Sequence, residues 1–217
     1  MSISLELSQL RQEYTRHELD EKMVHLSPTH QFSIWFNEAL DSQILEPNAF
    51  TLSTVDLDGF PTARVLLLKE LSETGFVFYT NYESAKGKEI EKNPYGAMTF
   101  LWLELQRQVR IKGSVSKVKR ETSREYFQSR PFESQLGAWV SPQSKIIPNR
   151  AFLDEKIQKY QQKYSSSENI PLPDHWGGYV LNPTEMEFWQ GRMGRLHDRI
   201  RYRLNGPQDW IIERLAP

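Results

Sequence analysis

Cysteine is absent from this chain of 217 residues. The absence excludes disulfide bonds, thiolate metal ligands and a cysteine nucleophile, and it suits a reducing compartment. Apolar runs extend over only a few residues, far short of the roughly 20 that a membrane-spanning helix needs. The 27 basic residues are balanced by 28 acidic ones, so no overall basic field exists to hold a nucleic acid or an anionic membrane. We therefore expect no nucleic-acid and no membrane partner, and any anion must be bound by a local cluster.

Several motifs that mark common enzyme classes are also missing. The sequence has no G-x-S-x-G, no P-loop and no G-x-G-x-x-G, the usual signals of serine hydrolases, nucleoside triphosphatases and Rossmann dehydrogenases. The five histidines lack the spacing of metal ligands, so we predict no metal site. The first 22 residues carry charges every few positions and no apolar run like that of a signal peptide. We therefore expect a cytoplasmic protein.

The length suits one large domain, which we place at residues 26–217. Residues 1–25 are polar with a weak helical period, and they are predicted to form an arm or short helices. Helical patterns begin at Ser27-Pro28 and recur at residues 84–92, 122–129 and about 148–164. Strand-like runs lie at residues 49–57, 61–69, 76–80, 95–103, 107–119, 177–191 and 199–217, the last of them folded around an Asn205-Gly206 turn. Strands in meander order with helices at the edges predict an α+β protein built on a closed or split, mostly antiparallel β-barrel with peripheral helices.

Two candidate anion sites lie in the first half of the chain. Arg64 and Lys69 are five residues apart on one strand, so they point to opposite faces, about 17 Å from each other. They should serve different anions, unless both are strand-end charges in solvent. A helix that begins at Ser84 has Thr80 and Lys86 nearby, and its free backbone N–H groups suit a phosphate. The alternative for this segment is an ordinary capped helix with exposed lysines.

A third candidate follows in the second half. Tyr126 and Arg130 are four residues apart and share a helical face, and Ser134 follows just after a proline break. A phenol, a guanidinium and a hydroxyl could together clamp a phosphate. The alternative is a solvated helix face.

The fourth candidate is an arginine-rich segment near the C-terminus that begins at Phe188 and includes Trp189. Arg195, His197 and Arg199 share one face if this segment is extended. A lone histidine is usually structural, but one flanked by two arginines on the same face is a better candidate. Separate anion clusters, aromatic planes and no evident nucleophile together predict a phosphorylated cofactor that acts on a phosphorylated substrate.

Several segments together resemble one known family. They are RVLLLK, FYTNYES, RQVRI, SREYFQSRP and WVSPQS, and most specifically WGGY, EFWQG, RLHDRI and IERLAP. From about residue 11 to the C-terminus the chain resembles the pyridoxine (pyridoxamine) 5′-phosphate oxidases. The resemblance implies a split-barrel homodimer with FMN bound at the subunit interface. It also implies oxidation of pyridoxamine or pyridoxine 5′-phosphate to pyridoxal 5′-phosphate, with dioxygen as acceptor and hydrogen peroxide as product.

The resemblance implies a role for individual residues. The family's FMN contacts fall on Arg64, Val65, Leu66, Leu67, Leu68, Lys69, Tyr79, Thr80, Lys86, Gln108, Gln143, Ser144, Trp189 and Arg199. Its substrate contacts fall on Arg11, Gln12, Glu13, Tyr14, Lys69, Tyr126, Arg130, Ser134, Arg195, Leu196 and His197. Of these, Arg195 and His197 are implied to be the catalytic residues that face the substrate ring, and residues 11–14 to fold over the site.

One position departs from the family pattern. After Ser84 the family places an arginine that helps to hold the flavin phosphate, whereas this chain has Ala85. The difference predicts weaker FMN binding with the same fold and reaction class. Two alternatives to the oxidase are a protein that binds pyridoxal phosphate without turnover and a split-barrel flavin protein with another substrate. Against both stands the joint presence of Tyr126, Arg130, Ser134, Arg195 and His197.

Overall fold

The computed structural model describes residues 14, 17–72, 74–164, 170–207 and 209–217. Within them lie five α-helices: α1 (Pro28–Asp41), α2 (Ala85–Lys92), α3 (Arg120–Ser129), α4 (Phe132–Val140) and α5 (Ala151–Lys163). The nine strands are β1 (Ala49–Val55), β2 (Pro61–Leu67), β3 (Glu70–Leu71), β4 (Phe76–Asn81), β5 (Tyr95–Trp102), β6 (Arg107–Lys117), β7 (Trp176–Gln190), β8 (Asp198–Leu204) and β9 (Trp210–Arg214). Within the same described residues, two short 3-10 helices span Leu103–Leu105 and Met193–Arg195.

The strands form one sheet in the order β2-β1-β5-β6-β7-β4-β3, with β8 paired to β7 and β9 to β8. The pairs β1–β2, β1–β5, β4–β7 and β8–β9 are all antiparallel. This mostly antiparallel sheet with five helices confirms the predicted α+β class.

The predicted meander order is wrong at β4. The sequence predicts that β4 follows β2 as a hairpin neighbour, but residues 76–81 pair with residues 176–181 of β7. The strand β4 is almost wholly buried, whereas β2 exposes alternate side chains. Because a buried strand needs apolar neighbours, β4 pairs with the buried start of β7, about 100 residues away.

Contacts divide the chain into two compact units. The first comprises the described part of residues 1–47 together with 100–110 and 185–217, and the second comprises 48–99 and 111–184. The strands β5, β6 and β7 each contribute residues to both units. A single domain over residues 26–217 stays a prediction.

The core of the first unit is aromatic and is built on α1. This helix begins as predicted, because Pro28 occupies its first turn and the Ser27 hydroxyl accepts a hydrogen bond from the His30 backbone. Its inner face buries Phe32 and Trp35. The Phe32 ring lies 4.9 Å from Phe100, and the Trp35 ring lies 5.2 Å from Phe188. These edge-to-face contacts fix α1 against β5 and β7.

The second unit contains α4, a helix that the sequence analysis missed. The sequence predicts that the helix stops at Arg130-Pro131, and α3 does end just before them, but Pro131 is also the residue that directly precedes α4. A proline fits there because the first turn of a helix does not need its N–H. The helix buries Leu136 in a cluster with Phe127, Ile170 and Trp176. The bend between α3 and α4 places the side chains of both helices around one cavity.

Among the described residues, no helix is long and apolar enough to cross a membrane.

Candidate active site

The second unit contains a cavity of about 420 Å³. It is lined by Leu66, Lys69, Tyr79, Thr80, Asn81, Tyr126, Arg130, Pro131, Ser134, Gly137, Ala138, Ser141, Gln143 and Trp176. Tyr126 lies on α3, Arg130 directly after it and Ser134 in the first turn of α4. The cavity thus brings together Lys69 with the three residues of the third sequence candidate.

Three stacked rings form one wall of the cavity. The Tyr79 ring lies 3.9 Å from Tyr126 at an interplanar angle of 17°, and 5.5 Å from Trp176 at 12°. Burial raises the pKa of Tyr79 to about 12, and it also raises the pKa of Tyr126. Both phenols therefore stay protonated at neutral pH and can donate a hydrogen bond to a ligand.

Arg130, which lines this cavity, carries an unsatisfied donor. Its Nη1 atom is buried and has no hydrogen-bond partner in the part of the chain that the structure describes. The guanidinium carbon lies 4.6 Å from the centre of the Trp176 ring. Burial lowers the pKa of Arg130, although a guanidinium remains charged at physiological pH. A buried cationic donor without an acceptor fits a site that binds an anion.

Lys86, on α2, is a second buried cation with only neutral partners. It is 8% exposed, and its Nζ donates to the Thr80 hydroxyl at 3.3 Å and to the Gln143 side-chain oxygen at 3.2 Å. Burial, and then the positive charge of Arg64, lower its pKa. No carboxylate within the described ranges forms an ion pair with Lys86. A buried ammonium without an anionic partner is suited to binding a phosphate.

Arg64 differs because its charge is already neutralised. Its Nη2 atom donates to the Glu89 carboxylate at 2.9 Å, and its guanidinium also bonds the hydroxyls of Thr54 and Thr62. Burial raises the pKa of Glu89, but the hydrogen bonds from Thr54, Thr62 and Arg64 outweigh it and hold that pKa below its ordinary value. The inward arginine therefore has the partner that its burial requires.

A second cavity, of about 330 Å³, also lies within the second unit. Gln143 lines both cavities, and Ser144 beside it has a φ of +69°, in the left-handed region. The remaining lining residues are Asp56, Leu57, Asp58, Glu83, Ala85, Lys88, Glu89 and Lys145. Ser144, which belongs to the predicted flavin set, and Ala85, where the family arginine is missing, therefore line the same cavity.

The first unit holds an aromatic cluster around His197. Its ring lies 4.6 Å from Trp189, and Tyr14 lies 5.8 Å from Trp189 and 5.7 Å from His197. The Nδ1 atom of His197 accepts the backbone N–H of Arg192 at 3.1 Å. Burial, and then the positive charge of Arg195, lower the pKa of His197. The imidazole is therefore neutral at pH 7, with its proton on Nε2.

The sequence argument that put Arg195, His197 and Arg199 on one face is wrong. That argument required an extended segment, but Met193–Arg195 is a 3-10 turn and β8 begins only at Asp198. Arg195 has a φ of +61°, which breaks any regular alternation. Arg195 is exposed, whereas Arg199 forms a two-point ion pair with Glu187, at 2.9 and 3.1 Å.

The comparisons with known proteins cover nearly the whole chain. A family model described as pyridoxamine 5′-phosphate oxidase matches residues 36–164, and one described as the pyridoxine 5′-phosphate oxidase C-terminal dimerisation region matches residues 176–217. The chain belongs to the pyridoxamine 5′-phosphate oxidase family. This membership agrees with the resemblance that the sequence motifs indicate.

Curated relatives and solved structures agree with this family. A protein of Salinibacter ruber named pyridoxine/pyridoxamine 5′-phosphate oxidase is 53% identical over 97% of this chain and 99% of its own length. A protein of the same name from a Cyanothece strain is 50% identical over 99% of this chain and 100% of its own. Among solved structures, PhzG from Burkholderia lata 383, in complex with tetrahydrophenazine-1-carboxylic acid, gives a TM-score of 0.85 at 26% identity, over 90% of this chain and 95% of PhzG. A related FMN-binding protein of Nostoc punctiforme gives 0.71 at 18% identity, over 89% and 100%. The likeness in fold confirms the predicted split-barrel class.

The other residues that the family resemblance singles out lie in varied surroundings. Val65 is exposed on β2, Leu66 lines the first cavity and Leu67 is half-buried. Leu68 is in the core, and both its backbone N–H and its carbonyl are bonded to Asn48. In the first unit, Gln108 is half-buried on β6 and Leu196 is exposed. The predicted contacts Arg11, Gln12 and Glu13 lie outside the described residues.

Two residues at the site were missed by the sequence reasoning. Trp176 belongs to the quoted motif WGGY, but no pattern in the sequence marks it as a neighbour of Arg130. Glu89 was not assigned as the partner of Arg64, although the need for such a partner was foreseeable from an arginine inside an apolar strand.

We predict that Glu89→Gln destabilises the protein at neutral pH and much less in acid. The variant keeps the shape of the side chain but removes the charge that neutralises Arg64, which should lower the free energy of unfolding by roughly 2 kcal/mol. Because the folded carboxyl has a lowered pKa, its contribution is complete above the ordinary value of 4.5 and is lost as the pH falls through the folded value. Urea unfolding at intervals from pH 7 to pH 3 measures this.

The matched control for that experiment is Glu83→Gln. Glu83 forms an exposed ion pair with Lys145 at 3.4 Å, so its loss should change stability by less than about 1 kcal/mol. A deficit of Glu89→Gln that is as large at pH 3 as at pH 7 would show that the carboxylate charge is not its cause.

Proposed function

We propose that this protein is an FMN-dependent oxidase that converts pyridoxamine or pyridoxine 5′-phosphate to pyridoxal 5′-phosphate, with dioxygen as acceptor and hydrogen peroxide as product. The observation that carries the proposal is the unpaired, buried donor of Arg130 at a cavity that Lys69, Tyr126 and Ser134 also line. Relatives about half identical over nearly their full length are named as oxidases of these two substrates. Family membership and the cavity therefore support the same substrate class.

The substrate phosphate is bound by the cavity of the second unit. Lys69 and Arg130 supply positive charge, and Tyr126 and Ser134 supply hydroxyl donors. Unlike Arg64, Arg130 has donors left for a ligand, because its Nη1 atom is unpaired. A phosphate accepts several hydrogen bonds at once, which favours it over a carboxylate in a site with four donors.

FMN is the proposed cofactor, and its phosphate suits the surroundings of Lys86. This buried ammonium has only neutral partners, Thr80 and Gln143, and it lies in the first turn of α2, where free backbone N–H groups also favour an anion. When bound, FMN supplies the acceptor for the two electrons that leave the substrate. The residues proposed to hold it are those of the predicted set, which include the polar side chains of Lys86, Gln143 and Ser144.

Arg195 and His197 face the substrate ring in this proposal. Because Nδ1 of the neutral His197 already accepts a hydrogen bond from the Arg192 backbone, its Nε2–H is the group that can donate a hydrogen bond to a ring substituent. Arg195 is exposed and its positive charge acts on His197, so it covers the ring from the solvent side. These residues position the substrate, and no protein side chain is assigned as a general base.

The active form is proposed to be a homodimer. Residues 176–217 match a family region described as a dimerisation region. The family resemblance also implies a flavin bound at the subunit interface. A cytoplasmic location stays a prediction from the sequence.

The test of the function is oxygen consumption by the purified protein with added FMN. Addition of pyridoxamine 5′-phosphate should consume dioxygen, produce hydrogen peroxide and, under anaerobic conditions, bleach the yellow flavin. A protein that binds pyridoxal phosphate but is not bleached by either phosphorylated substrate would be a binding protein. Bleaching by another reductant alone would indicate a flavin protein with a different substrate.

We expect Arg195→Met to lower kcat by about tenfold to a hundredfold while FMN binding is retained, because the residue orients the substrate. His197→Asn should be milder, since an asparagine amide can also donate a hydrogen bond. Steady-state kinetics and the flavin absorbance of the purified variants measure both effects. If Arg195→Met were purified without flavin, Arg195 would have to be reassigned to the cofactor.

Ala85→Arg is expected to tighten FMN binding. A charge-assisted hydrogen bond contributes roughly 1.5 to 3 kcal/mol, so the added guanidinium should lower the dissociation constant by about one to two orders of magnitude. Turnover at saturating FMN should be nearly unchanged. Titration of the apoprotein with FMN, followed by flavin fluorescence, gives the dissociation constants.

The control for this titration is Lys88→Met. Lys88 lines the same cavity as Ala85 and is the candidate for a compensating charge. If Ala85→Arg binds FMN no more tightly than the natural protein, and Lys88→Met binds it more weakly, then Lys88 already fills the place of the missing arginine.

A further inference from the structure

Arg130 differs from Arg64, Arg107 and Arg199 because it has no carboxylate partner among the described residues, although Arg107 also lies over a ring, with its guanidinium carbon 4.4 Å from the centre of Trp35. Arg64 forms an ion pair with Glu89, Arg107 with Glu38 and Arg199 with Glu187. Arg130 forms no ion pair in the portion of the chain that the structure describes; instead it lies over two aromatic rings. Its guanidinium carbon is 4.6 Å from the ring centre of Trp176 and 5.9 Å from that of Phe127.

The two kinds of partner leave an arginine in different chemical states. A carboxylate occupies the N–H donors at the edge of the guanidinium and cancels its charge. An aromatic ring attracts the face of the guanidinium through its quadrupole and leaves the edge donors free. Arg130 is therefore stabilised in a half-buried position with its charge uncancelled, which agrees with the buried and unpaired Nη1 atom.

Trp176 is itself fixed. It is 7% exposed, and its ring packs edge-on to Phe127 at 5.4 Å and parallel to Tyr79 at 5.5 Å. Its backbone carbonyl accepts a hydrogen bond from Arg120 at 2.6 Å. Because Tyr79 in turn stacks on Tyr126 at 3.9 Å, the rigid Trp176 ring sets the position of both Arg130 and Tyr126.

We infer that Trp176 is a positioning residue for phosphate recognition: it holds the Arg130 guanidinium in place, without neutralising it, as a donor for the substrate's phosphate. The identity of that anion as the 5′-phosphate of a vitamin B6 compound rests on the proposed function. The effect of Trp176 itself rests only on its contact with Arg130 and on the unpaired donor.

The experiment measures binding by the apoprotein, so that it does not depend on flavin or on turnover. Trp176→Leu and Trp176→Met remove the ring, and Trp176→Phe restores one. Calorimetric titration with inorganic phosphate, pyridoxal 5′-phosphate and unphosphorylated pyridoxal should show about a tenfold loss of affinity for both phosphates in the Leu and Met variants. Affinity for pyridoxal should not change, and Trp176→Phe should recover most of the loss. In the holoenzyme the same variants should raise KM for the phosphorylated substrate more than they lower kcat.

The matched control is Trp139→Leu. Trp139 packs beside the same cluster, stacks on Tyr160 at 6.0 Å and donates to the Pro171 carbonyl at 2.8 Å, but it does not line the cavity. The Trp139→Leu variant should be less stable than the natural protein but should bind phosphate with the same affinity.

Three outcomes would overturn the inference: an unchanged phosphate affinity in Trp176→Leu, an equal loss in Trp139→Leu, or an equal loss for unphosphorylated pyridoxal. If Trp176→Leu does not fold, Trp176→Met decides, because its flexible side chain fills the space without a ring. A protein that shows the expected losses but consumes no oxygen would leave the inference standing and refute the proposed oxidase.

Discussion

The site depends on burying positive charge without cancelling it. A buried cation is costly unless a partner compensates for the lost water, and a carboxylate is the usual partner. In the second unit Glu89 serves Arg64 in that way, but Lys86 is held by two neutral oxygens and Arg130 by aromatic faces. These partners reduce the cost of burial and leave the charge available. The lowered pKa values of Lys86 and Arg130 are the electrostatic counterpart of that incomplete compensation.

This arrangement requires a close approach of backbone and rings, which two glycines allow. In the β4–β7 register Tyr79 lies opposite Gly178 and Thr80 opposite Gly177. A Cβ atom at Gly178 would lie 2.8 Å from the Tyr79 ring, and one at Gly177 would lie 2.1 Å from the Tyr82 hydroxyl. Any side chain at either position would push a ring out of place. The pair Gly177-Gly178 thus lets the long-range strand pairing bring Trp176 beside Tyr79, on which the position of Arg130 depends.

Local features of the fold were predictable, whereas long-range ones were not. The cap at Ser27, the helix after Ser84 and the strand boundaries near the C-terminus follow from caps, turn residues and alternation, which act over a few positions. The pairing of β4 with β7 was not predictable, because the energy that selects it comes from residues about 100 positions apart. The helix α4 was missed for a different reason. Pro131 lies between the end of α3 and the start of α4, and the sequence alone does not show that a second helix follows the proline.

The residues of the site also divide into those that local sequence patterns predict and those that depend on long-range contacts. Spacing in the sequence was enough to predict that Tyr126 and Arg130 lie close together, and both line the cavity although Arg130 follows the end of α3. The family resemblance added Lys69, which lines the same cavity. Neither source identified the residue that holds Arg130 without neutralising its charge, because a tryptophan 46 positions away carries no periodic signal. Charge alone would have ranked Arg64, Arg130 and Arg199 as equal anion ligands. Their partners separate them: two face a glutamate, and the third faces a ring. In this family member, the presence of an inward-facing arginine is therefore a poor guide to anion binding, and the nature of its partner is the better one.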